Sequence, residues 1–253
     1  MDEIMNLVNE GWKDEERIRT ASPEDDTERL PGVNLVDIIA DNMPVVSPGH
    51  DWRDEVVTMI AAASDTVVGS LALVVTTLGH YPEIQDKIVE EILAVMGDLE
   101  RDVTSADLNA MTYLGQVITE SIRLHGTVVG IMRRATKDTK LTNITLPAGS
   151  RVVIMLHGMG WDKEQFPNPD QFQPDRFSPE NQKKRHSYAF KPFSAGPRNC
   201  IGKAYAMIVM KTVLVHILRR LRVTSHTKLS DIVYELKVVN YSKTPLLVSF
   251  HPR

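Results

Sequence analysis

The sequence predicts a mainly α fold carrying small β-sheets. Two long apolar runs, residues 51–79 and 201–221, have the length and spacing of helices. In residues 141–156, by contrast, β-branched residues are interrupted by Pro147 and Gly149, the signature of a small hairpin and sheet edge. Residues 161–192 hold many prolines and aromatics with little periodicity, which predicts an ordered meander.

With 253 residues, 42% of them hydrophobic, the chain can build one large domain or two small ones. Its single cysteine excludes an internal disulfide and fits a reducing compartment. A net charge of −4 gives no nucleic-acid footprint. The acidic, amphipathic N-terminus reads as neither a signal peptide nor a membrane anchor, and Met1 is compatible with a position internal to a longer protein.

Residues 1–20 read as the end of a charged helix, 21–31 as a loop and 34–42 as a short helix, broken at 44–49. Asp51 caps the long helix, with Asp54 and Glu55 in its first turn, and Gly79, His80 and Pro82 end it. Residues 56–79 carry one formal charge, Asp65, and imitate a membrane span. A carboxylate near the middle of a bilayer helix costs about 3 kcal/mol. Ser64, Thr66, Ser70, Thr76 and Thr77 add polar groups, so the expectation is a helix buried through a globular core. Further helices are predicted at 83–96 and 106–124, sheet and meander at 135–192, and a closing strand pair between 233–239 and 245–250. No repeat, low-complexity tract or linker divides the chain.

Phe193, Gly196, Arg198, Cys200 and Gly202 form the pattern Phe-x-x-Gly-x-Arg-x-Cys-x-Gly. Chance would place these five residues in about one such chain in ten thousand. The pattern resembles the haem-binding loop of the cytochrome P-450 family. That resemblance implies a haem b (iron protoporphyrin IX) whose iron is ligated by Cys200, because an anionic, electron-donating sulfur favours cleavage of dioxygen. Cys200 stands just before the predicted final helix, whose N-terminal N–H groups favour a thiolate. Gly196 and Gly202 let the backbone turn and approach the porphyrin. Phe193 is expected to cover the sulfur, and Arg198 to pair with a haem propionate. An isolated intracellular cysteine is more often a small buried hydrophobe, and the other four positions argue against that reading here.

Other groups extend the resemblance. Glu120 and Arg123 lie three apart on a predicted helix, as exposed pairs of little consequence often do. Together with Arg176 of Pro174-Asp175-Arg176-Phe177 they resemble the family's structural Glu-Arg-Arg triad, although His125-Gly126 stands where the family usually has a proline. Ala62-Ala63-Ser64-Asp65-Thr66 resembles the oxygen-activating segment, with Thr66 binding oxygen or an ordered water and Asp65 relaying protons. Ala63 and Val67 depart from the usual glycine and second hydroxyl, and a threonine bonded back to the Ala62 carbonyl is the competing reading. Arg133 or Arg134 matches a second propionate-binding arginine. Lys183, Lys184, Arg185, Lys191 and Lys203 read as solvated surface or as a docking face for an acidic electron donor.

In the family's order these segments run from residue 51 to the C-terminus, so the resemblance implies a single partial domain, the C-terminal half of a cytochrome P-450. The wording around the meander and haem loop is most similar to microsomal fatty-acid and sterol hydroxylases. The implied activity is that of a haem-thiolate monooxygenase. It inserts one atom of dioxygen into a small apolar substrate (lipid, sterol or xenobiotic) with electrons from NADPH-cytochrome reductase. The implied location of a full-length protein is the cytosolic face of the endoplasmic reticulum, with membrane contact through the N-terminal half. The alternatives are a haem-thiolate isomerase or dehydratase, and a truncated chain that keeps the motifs without retaining haem.

Overall fold

The computed structural model describes residue 39, residues 51–98 and residues 100–253. The expectations for residues 1–50 lie outside the described residues, except that Ile39 is helical. The chain divides into two compact units, residues 1–62 and 63–253.

In the first unit Asp51 begins helix α1 (Trp52–Leu78), accepting the Arg53 N–H on Oδ1 at 3.0 Å, and residues 63–78 of that helix belong to the second unit. The second unit continues with α2 (Pro82–Met96), α3 (Ser105–Ala110) and α4 (Thr112–His125). Strands β1 (Ile131–Arg134) and β4 (Arg151–Ile154) pair antiparallel around an inner hairpin of β2 (Thr139–Lys140) and β3 (Thr145–Leu146). After α5 (Leu156–Met159) the meander holds a 3-10 turn (Pro174–Phe177) and α6 (Pro179–Gln182). Helix α7 (Lys203–Leu218) then leads into β5 (Leu221–Ser225), β6 (Tyr234–Leu236), β7 (Asn240–Ser242) and β8 (Val248–Pro252).

Apolar spacing explains the core. Ile84, Ile88, Ile92 and Met96 recur every four residues along α2 and are all buried. They meet Leu114, Val117 and Ile118 of α4, Met210, Leu214 and Leu218 of α7, and Val74 and Leu78 at the end of α1. Burying each such side chain contributes about 2 kcal/mol. Gln85 ties this core together: its amide donates to the carbonyls of Leu78 and Val223 and accepts the Val223 N–H.

Four expectations are corrected. The segment 106–124 is two helices, because Met111 leaves the helical region (φ −74°, ψ 80°). Tertiary contacts make that break affordable. The Glu91 carboxylate of α2 accepts the N–H groups of Tyr113 and Leu114, and Lys211 of α7 donates to the carbonyls of Leu108 and Met111. The final helix is shorter than 201–221: Gly202 is its N-cap, and Leu221 has turned into β5. The two C-terminal runs are strands but do not pair with each other. β6 closes locally on β7 through the Lys237 N–H to Val239 carbonyl bond, while β8 pairs with β5. Lastly, α1 is not buried along its length. It is apolar enough to cross a membrane, but only 22% of that stretch is buried. Burial is continuous from Leu73 to Leu78, and Val68 is 65% exposed.

The β6–β7 hairpin is fastened to α1 and α4 by a directed hydrogen-bond chain. Thr77 Oγ1 donates to the Leu73 carbonyl, so it accepts from His125 Nε2–H at 2.8 Å. His125 Nδ1 is then the acceptor for the Tyr234 hydroxyl at 2.7 Å. Burial, with the nearby His157 and Arg123, lowers the His125 pKa to about 4, and burial pushes the Tyr234 phenol up to about 12. A protonated His125 would present a second N–H to a hydroxyl that needs an acceptor. An unfolded chain titrates this imidazole near 6.5, so its stabilising contribution is complete above that pH and disappears as pH falls to about 4. Unfolding midpoints measured across this window should fall with pH, and His125→Gln should flatten the slope.

Candidate functional site

The loop from Phe193 to Gly202 is closed by the Cys200 N–H donating to the Phe193 carbonyl at 2.9 Å and the Asn199 N–H donating to the Gly196 carbonyl at 3.0 Å. Such a tight fold requires left-handed backbone at Gly196 (φ 80°), where an added Cβ would meet no atom within 4 Å. Cys200 sits on the crest of the loop, exposed. Its Sγ lies 3.8 Å from where a Cβ on Gly202 would be, beside the N-cap of α7. The Phe193 ring is half-buried and packs against the core, with Lys203 Nζ 6.0 Å from the ring centroid.

Between the two arginine candidates, the structure brings Arg133 to the loop. Its Nη2 donates to the Arg198 carbonyl at 3.4 Å, whereas Arg134 faces Arg151 in the β1–β4 register. Arg133, Arg198 and Cys200 are all exposed. One exposed soft sulfur and two exposed arginines, Arg133 and Arg198, the first bonded to the loop backbone, are a donor set whose chemistry suits a planar iron complex bearing carboxylates.

Glu120, Arg123 and Arg176 form one buried network, so the surface-pair reading of Glu120 and Arg123 fails. Glu120 Oε2 accepts Arg123 Nε at 2.7 Å and Oε1 accepts Arg123 Nη2 at 2.9 Å. Arg123 places its other N–H groups on the carbonyls of Gly160, Pro169 and Gln171, so all five donors are used. Glu120 Oε1 also accepts the Gln173 N–H, and Arg176 Nε lies 3.4 Å from it as an ion pair without a well-formed hydrogen bond. Arg176 Nη2 donates to the Asn168 carbonyl. At Gly160 the meander passes so close that a Cβ would lie 2.8 Å from Arg123 Cγ.

Arg185 leaves the predicted basic face. It stacks on Phe166 and Phe177, at 4.8 and 5.2 Å, and donates to the Arg176 carbonyl. Lys183, Lys184 and Lys203 remain exposed, and Lys191 lies half-buried 5.3 Å from the Tyr188 ring centroid.

On α1, Asp65 is exposed and accepts the Tyr241 hydroxyl at 2.9 Å, while Thr66 is half-buried one residue on. Sequence reasoning missed Tyr241, His125 and Tyr234, which are distant in sequence and match no short motif. The missed capping box of Thr104 and Asp107 was legible as a threonine followed three residues later by an acid.

Removing the shared carboxylate tests the triad. Glu120→Ala leaves two buried guanidiniums facing each other, and it should lower stability by about 3–5 kcal/mol, read from denaturant midpoints.

The pattern that describes "Cytochrome P450" matches residues 39–248. Among individual proteins, the chain is 38% identical over 203 residues to "Cytochrome P450 4c21" of Blattella germanica, covering 80% of this chain and 40% of that one. It is 38% identical over 190 residues to "Cytochrome P450 4V2" of Homo sapiens, covering 75% and 36%. With "Probable cytochrome P450 4aa1" of Drosophila melanogaster it shares 40% identity over 170 residues, covering 67% and 33%. The chain thus spans about two fifths or less of the length of these curated relatives. The match over residues 39–248, including the loop that carries Cys200 and the buried Glu120 network, establishes that this chain belongs to the cytochrome P450 family.

Proposed function

We propose that this chain is the haem-binding portion of a haem-thiolate monooxygenase acting on a small apolar substrate. The observation that carries the reading is Cys200 exposed beside the N-cap of α7, on a loop whose Arg198 carbonyl accepts from Arg133. Cys200 would hold the iron of haem b through its sulfur, and Arg133 and Arg198 would hold the propionates. When bound, the haem would supply activation of dioxygen, with the Cys200 sulfur as electron donor.

The remaining work falls to the protein's own groups. The Glu120–Arg123–Arg176 network holds the meander against α4 and so keeps the loop in register. The Thr66 hydroxyl would orient an ordered water, and Asp65 would carry protons to it from solvent. The exposed Lys183, Lys184 and Lys203 suit an acidic electron-donor protein, for which a flavoprotein reductase using NADPH is the fitting class. We place the full-length protein at the cytosolic face of the endoplasmic reticulum, by likeness to microsomal members of the family.

A second reading is that this chain by itself keeps the motifs but does not retain haem. It is favoured by the exposed part of α1, where Val68 and Ile60 face water.

A carbon monoxide difference spectrum of the reduced, haem-reconstituted chain separates the two. A strongly red-shifted Soret band that Cys200→Ala abolishes is the expected outcome. Its absence in the wild-type chain would support the second reading. Thr66→Ala should divert most electrons from product to hydrogen peroxide; unchanged coupling would point instead to rearrangement of an already oxygenated substrate.

A further inference from the structure

The long helix and the C-terminal hairpin meet through three polar contacts that use residues 234–241 and are unrelated to the haem-loop pattern. Thr77 is joined through His125 to Tyr234. Ser70 Oγ lies 2.7 Å from Thr127 Oγ1, and the Thr127 carbonyl accepts the Asn240 N–H at 2.8 Å. Asp65 Oδ2 accepts the Tyr241 hydroxyl at 2.9 Å.

Helix geometry gives this ladder a consequence. Thr66, Ser70 and Thr77 are four and eleven residues apart, so at about 100° per residue they share one face of α1. The Ser70 and Thr77 contacts fix that face and prevent the helix from turning about its axis. Asp65 lies about 100° round from Thr66, outside the fixed face. Its carboxylate is therefore free to swing unless something else holds it. Among the described residues Tyr241 is its one hydrogen-bond partner. Tyr241 is itself held: it sits in register with Glu235 on the paired strand, and Lys237 Nζ lies 5.9 Å from its ring centroid.

We propose that Tyr241 is the positioning residue for Asp65, holding one carboxylate oxygen from the C-terminal hairpin so that the other remains free to exchange protons on the Thr66 side of α1. This rests on the proton-relay role of Asp65 given above. Tyr241 acts through Asp65 and leaves the reacting atoms untouched. The bond to Asp65 raises the Tyr241 pKa, so the phenol keeps its proton and remains the donor throughout.

Two readouts on the full chain test this, using Tyr241→Phe, Asp65→Asn and the double variant. The first needs no haem: the tyrosine absorbance titration of each protein minus its Tyr241→Phe counterpart isolates Tyr241. Asp65→Asn should return that phenol toward the ordinary value, and an unchanged titration would overturn the proposal. The second is the share of electrons released as hydrogen peroxide by the haem-loaded chain supplied from a flavoprotein reductase. Both single variants should raise it several-fold, with the double variant no worse than Asp65→Asn alone. A rise in Asp65→Asn with wild-type behaviour in Tyr241→Phe removes Tyr241 and leaves the Asp65 role standing. No rise in either variant removes the Asp65 role and the positioning role with it.

Discussion

One buried carboxylate organises the half of the second unit that carries the cysteine. Glu120 faces two guanidiniums, and all three side chains are buried. In such an environment a charge is tolerated only when every partner is present and every donor used. Arg123 meets that demand by reaching three carbonyls of the meander, at Gly160, Pro169 and Gln171. The meander has little regular structure to hold its own backbone, so these charge-assisted bonds substitute for a ladder. Its path in turn sets where the chain enters the loop ending at Gly202.

The network also explains why nearby residues look as they do. Phe166, Phe177 and Phe190 stack on one another within 5.5–6.2 Å, and Arg123 and Arg185 lie over the Phe166 ring. These rings keep water from the ion pairs, and their faces accept the cations. Burial lowers the pKa of Arg176 and of Arg185, the cost of bringing cations into this region.

At the other end of the unit, neutral hydrogen bonds do comparable work. The chain Tyr234–His125–Thr77–Leu73 has a single consistent set of donors, because Tyr234 must give and the Leu73 carbonyl must accept. A chain with one allowed direction fixes both the imidazole tautomer and the placement of the hairpin. Charged bonding thus secures the cysteine side, whereas on the hairpin side the neutral bonds from Thr77 and Ser70 stand beside one charged bond from Asp65 to Tyr241.

The sequence by itself determined a good deal. Mainly helical architecture, the apolar stripe of α2, the Asp51 cap and the loop around Cys200 follow from periodicity, capping chemistry and a dense local pattern. Only the tertiary structure decided the rest. Whether Glu120 and Arg123 are a trivial surface pair depends on what covers them, and that cover comes from residues 160–176. Met111 interrupts a helix because Glu91 and Lys211, about 20 and 100 residues away, satisfy the freed backbone groups. Arg133 rather than Arg134 meets the loop because strand register assigns them different neighbours, and Tyr241 finds Asp65 across 176 residues. The physical reason is common to all of these: periodicity and caps are local properties of the chain, whereas burial and partner choice depend on which distant segment arrives.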